Sequence, residues 1–66
     1  MTIYCIRTRR SEDPAWRYVG ARGGITEVRA DAQKWDVETV ARGMLPHYRR
    51  RWPGREFRAG PITSTI

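Results

Sequence analysis

One cysteine, one histidine, one lysine and one phenylalanine are all that this 66-residue chain holds of those four residue types. A single Cys5 excludes an intrachain disulfide and points to a reducing compartment, the cytoplasm. Cys5 and His47 together fall short of the three or four donors that a zinc site needs, so neither metal nor cofactor is expected. Cys5 sits in an apolar strand and reads as an inert thiol; His47 lies off the apolar side of a helix and reads as a solvated residue. The acidic residues are scattered, with no pair spaced for acid–base chemistry. Gly20-Ala21-Arg22-Gly23-Gly24 joins two strands and lacks the Lys-Ser/Thr of a phosphate loop. These absences argue against an enzyme. No apolar run approaches the ~20 residues of a membrane span, and Arg7, Arg9 and Arg10 follow the N-terminal strand too soon for a signal peptide.

What is present is positive charge. The formal net charge is +6, and of the thirteen cationic residues only Lys34 is not arginine. Arginine favours planar, bidentate partners such as phosphate and carboxylate, although a GC-rich coding bias supplies arginine whatever the function. The charge itself favours acidic partners and nucleic acid through its long-range field. Two clusters stand out: Arg7, Arg9 and Arg10 at the end of the first strand, and Arg49, Arg50 and Arg51 at a helix end with Arg55 and Arg58 beyond. Cations at a helix C-terminus also serve the helix dipole, and successive helical residues fan out by ~100°, so the triplet alone makes no flat patch.

The length allows one domain, residues 1–66, with a small core; such a chain buries only about 60% of its unfolded surface. Residues 2–9 read as a strand with apolar residues on both faces, which suits a central position. Asp13-Pro14 is turn chemistry. Residues 16–22 and 25–29 read as two further strands of an antiparallel meander, turned at Gly23-Gly24. Val37, Val40, Ala41, Met44, Leu45, Tyr48 and Trp52 recur at helical spacing and predict one helix over 37–52, kinked by Gly43 and Pro46; two helices breaking near Leu45 are the alternative. Asp36 is expected to cap that helix, with Trp35 and Val40 as a hydrophobic staple. Pro53-Gly54 ends it, residues 55–60 form a last strand, and 62–66 form a frayed tail after Pro61. The expected fold is α+β, β-β-β-α-β: a four-stranded mixed sheet of order 3-2-1-4, its last strand parallel to the first, with the helix on one face and nothing on the other.

From Ala30 onward the chain resembles a group of small open reading frames of tailed phages and prophages, on Ala32 to Trp35, the cap at Asp36, and Trp52-Pro53-Gly54-Arg55-Glu56-Phe57. The resemblance covers the C-terminal half; Gly43 and Pro46 depart from the usual smooth helix. It implies a phage accessory protein in a bacterial cytoplasm, a setting that includes inhibitors of host defence such as anti-CRISPRs. It transfers no active-site residue, and fold alone does not give function.

Two functions follow. The first is a non-enzymatic module binding a host or phage protein of acidic surface. The second is a small nucleic-acid-binding protein using an arginine-rich edge. The contact residues expected are Tyr4, Arg7, Arg9, Arg10, Arg49, Arg50, Arg51, Arg55 and Arg58; either Ile3 and Cys5 or Tyr4 and Ile6 point to the uncovered sheet face, joined by Trp16 and Tyr18 or by Val19. That face also offers a route to a homodimer.

Overall fold

The computed structural model describes residues 2–13 and 15–62. Its elements follow the expected order: β1 (Tyr4–Arg10), β2 (Arg17–Val19), β3 (Ile25–Thr26), a 3-10 turn at Arg29–Asp31, α1 (Glu38–Gly43), α2 (Leu45–Arg51) and β4 (Arg55–Pro61). The strand order is β3-β2-β1-β4, with β1 central as its apolar residues require. Gly23 takes the positive φ of 90° that closes the turn between β2 and β3, where the Gly20 N–H donates to the Gly24 carbonyl at 2.6 Å.

The direction of β4 corrects the mixed sheet expected from the sequence. β4 runs antiparallel to β1 along the whole of both strands, from Tyr4 opposite Pro61 to Arg10 opposite Arg55. The cause is an extra reversal between β3 and the helices. Residues 32–35 return toward the start of β1, where Ala32 bridges Gly20 and Trp35 bridges Tyr4. The Tyr4 N–H donates to the Trp35 carbonyl at 2.7 Å, and the Trp35 N–H donates back at 2.9 Å. The helices then carry the chain to the far end of β1, so β4 must descend.

The helical stretch is two segments meeting at Met44, which keeps right-handed helical angles (φ −83°, ψ −13°). Pro46 lies in the first turn of α2, where its missing N–H removes no helical bond. The Asp36 cap is not formed: Val37 is the residue before α1, and no side chain caps it. The staple fails with it, because Val40 is 52% and Val37 48% exposed. The predicted stripe carries across Met44: Ala41 and Tyr48 are the buried residues of the two segments, and Met44, Leu45 and Trp52 pack against the core.

The core lies between the helices and one sheet face. Ile6, Val19, Tyr48 and Phe57 form its centre, with Trp35, Met44, Leu45 and Trp52 packed around them. The Tyr48 ring stacks near Trp52 and Phe57, at centroid distances of 6.0 and 6.2 Å. Pro61, expected to begin the tail, belongs to β4, and the Ile62 N–H donates to the Ile3 carbonyl at 2.8 Å. Pro14 and residues 63–66 of the expected turn and tail lie outside the described residues. None of the helices is long and apolar enough to cross a membrane.

Ile6→Ala removes a fully buried side chain and should cost about 2–5 kcal/mol. Val40→Ala, on an exposed helix face, should stay within ~0.5 kcal/mol. Denaturant melts of both variants check this; equal losses would place Val40 in the core.

Candidate functional site

Side chains alternate across a strand, so the register assigns each to a face. Ile6 and Thr8, opposite Ala59 and Phe57, point to the helices. Arg7 and Arg9 point the other way. Arg7 stands directly between Tyr18 of β2 and Arg58 of β4, and Arg9 stands opposite Glu56. The face that no helix covers is therefore a layer of arginines and aromatics.

The Trp16 ring, 37% exposed, lies on this layer. The Arg9 guanidinium is 4.7 Å and the Arg58 guanidinium 5.6 Å from its ring centroid, within cation–π range. Glu56 draws the same two arginines together: Arg9 Nε donates to one carboxylate oxygen at 3.1 Å and Arg58 Nε to the other at 2.8 Å. Arg7 differs. Among the described residues it has no ion-pair partner, and its Nη2 donates to the Pro61 carbonyl at 3.3 Å. Arg7, Trp16, Tyr18, Arg58 and Gly60 border a hollow of about 490 Å³. Gly60 keeps it open, since a Cβ there would meet nothing within 4 Å.

A second basic cleft, about 390 Å³, lies at the far end of β1 and β4, where Arg10, Arg51 and Arg55 gather beside Trp52. Arg10 and Arg55 are directly opposed in the ladder. Arg55 Nη1 is buried without a hydrogen-bond partner, and the Arg51 guanidinium lies 5.0 Å from the Trp52 ring centroid.

The expected contact residues thus divide. Arg7, Arg9 and Arg58 share the uncovered face, and Arg10, Arg51 and Arg55 share the end cleft. Arg49 borders a shallow depression with Arg42 and Arg58 on the outer side of β4, and Arg50 is simply exposed. Tyr4 is half-buried on the helix-facing side, paired between Pro61 and Trp35. Cys5 alternates onto the other face yet is wholly buried. That burial raises its thiol pKa, against the lowering influence of Arg7, Arg29 and Lys34, so the thiolate is disfavoured. His47 is exposed, edge-on to Tyr48 at 5.2 Å. Among the described residues no three His, Cys, Asp or Glu side chains gather to hold a metal ion.

No family model matches the chain, and neither a curated protein nor a solved structure shows significant similarity to it.

The hydrogen bond from Arg9, with the help of Arg58, holds the Glu56 carboxyl below the usual carboxylate range. A lowered pKa means that the folded chain binds this proton less tightly than the unfolded chain. The stabilisation is therefore present at neutral pH and fades as pH falls below the ordinary value of ~4.3. Thermal melts should show the parent losing more stability on acidification than Glu56→Gln does. Parallel pH curves would mean that the bridge contributes nothing in solution.

Proposed function

We propose that this chain is a non-enzymatic binding module that takes an anionic partner on the uncovered face of its sheet. One observation carries the reading: Arg7 and Arg58 are opposed across the ladder, and among the described residues no carboxylate pairs with Arg7. Like charges directly opposite each other destabilise a sheet. An anion seated between them relieves that repulsion, and the Trp16 and Tyr18 rings beside them supply contact area. Arg, Trp and Tyr are also the types that dominate binding energy at interfaces.

The phage accessory role rests on the resemblance of the C-terminal half. In that setting, a bacterial cytoplasm, the partner is a host component and the module acts by occupying it, as an inhibitor of a defence complex does. A second copy of the chain fits the face poorly. A two-fold contact sets a patch against itself, and here that brings Arg7, Arg9 and Arg58 toward their own equivalents.

Affinity capture from a bacterial lysate tests the surface. The Arg7→Gln/Arg58→Gln double variant should lose the bound partner, and the Arg49→Gln/Arg50→Gln/Arg51→Gln triple variant should retain it with slower association. The opposite pattern would move the contact surface to the helix end.

A further inference from the structure

We propose that the partner seated on this face is a single-stranded nucleic acid. Its bases would stack on Trp16 and Tyr18, and its phosphates would meet Arg7 and Arg58, which are opposed across the ladder on that face. This rests on the uncovered face being the contact surface, and it adds the chemistry of the occupant.

Three features of the face choose that chemistry. The first is its composition. Across β1, β2 and β4 it presents guanidiniums, one carboxylate already held by Arg9 and Arg58, two aromatic rings and Gly60 opposite the buried Cys5, while Ile6, Val19 and Phe57 are all turned into the core. A protein partner anchors on a desolvated apolar centre, and the aliphatic side chains for one are missing here. Aromatic rings set among cations are instead the elements of single-strand platforms, because every base has a face to stack.

The second feature is shape. The hollow of about 490 Å³ is open directly over the sheet backbone at Gly60, so a flat ring can enter between Trp16, Tyr18 and Arg7. A duplex has no such ring to offer, since its base faces are already stacked. Unstacked bases on aromatic side chains are the common mode of single-strand recognition.

The third feature is the placement of charge. Arg7 lies directly opposite Arg58 on this face, and Arg9 follows two residues along β1 on the same side, whereas Arg10 and Arg55 alternate onto the helix-facing side. Guanidiniums spaced along one face of a strand suit a linear polyanion, whose charges recur along its length. Glu56 already models one seat: its carboxylate lies between Arg9 and Arg58, within 3.1 Å of both.

Fluorescence anisotropy with labelled oligouridylate, oligothymidylate and a mixed-sequence duplex, each across a range of salt, tests the proposal. The parent should bind the single strands more tightly than the duplex. Trp16→Ala should weaken single-strand binding by about ten-fold and leave its salt dependence unchanged. Gly60→Val, which fills the hollow without a clash or a change of charge, should weaken it similarly. Arg7→Gln/Arg58→Gln should lower the slope of log K against log salt by about 0.7 per arginine. Cooperative melts confirm that each variant is folded. Duplex binding as tight as single-strand binding, indifferent to Trp16→Ala and Gly60→Val, would overturn the stacking platform. Absence of binding to every oligonucleotide at low salt would overturn it too. If the Arg7/Arg58 variant then still loses its lysate partner, the face remains the contact surface with a different occupant.

Discussion

The structure hangs on β1, which is hydrogen-bonded on both sides and carries opposite chemistry on its two faces. Ile6 and Thr8 are turned into the core, while Arg7 and Arg9 are turned out of it. The helices rest mainly on β4 and β1, and within the sheet β4 pairs with β1 alone. Because the side-chain period of a strand is two, a slip of one residue would send the guanidiniums into the core and Ile6 into water. The register that secures the small core is thus the register that sets Arg7 beside Tyr18 and Arg58. Core and proposed binding surface are two consequences of one alignment.

The strand order was legible because Tyr4, Cys5 and Ile6 put apolar groups on both faces of one strand, and only a central strand buries both. The direction of β4 was not. It depends on residues 32–35 running back beside Gly20 and Tyr4, a segment that pairs through single bridges and carries neither strand nor helix periodicity. The helical stripe was legible from Ala41 to Trp52, where Ala41, Met44, Leu45, Tyr48 and Trp52 all turn to the core despite the interruption at Met44. Its start was not: the helix begins at Glu38, after an extended Val37, and Val37 and Val40 face solvent.

Of the surface, the sequence could name the arginines but not sort them. Which of them share a face depends on the pairing of β1 with β4, residue by residue, and on the 100° fan of the helix end. Arg58 joined Arg7 and Arg9, Arg55 joined Arg10 and Arg51, and Arg50 joined neither. Tyr4 falls to the helix side by the same alternation that brings Tyr18 to the open one. Trp16 precedes β2; alternation with Tyr18 offered its face, but its contact with Arg9 and Arg58 depends on the pairing of three strands.

The coding-bias account of the arginines meets a limit in this geometry. A bias of that kind substitutes arginine for lysine; it does not decide which positions are cationic or how they are neutralised. In the β1–β4 ladder neutralisation is uneven: Arg9 and Arg58 share Glu56, whereas Arg7 stands unpaired against Arg58, and Arg10 against Arg55. A domain with so small a core has little stability to set against such repulsion, and a single further acidic residue on either strand would relieve it. Local rules are broken most often where a protein has work to do. Here the broken rule is of one kind, cation against cation: Arg7 against Arg58 on the open face that also holds the aromatic rings, and Arg10 against Arg55 on the helix side of the same ladder. On the proposed reading, an anion seated beside Arg7 recovers the repulsion left in the free chain, so the same side chains that weaken the fold would strengthen its hold on a partner.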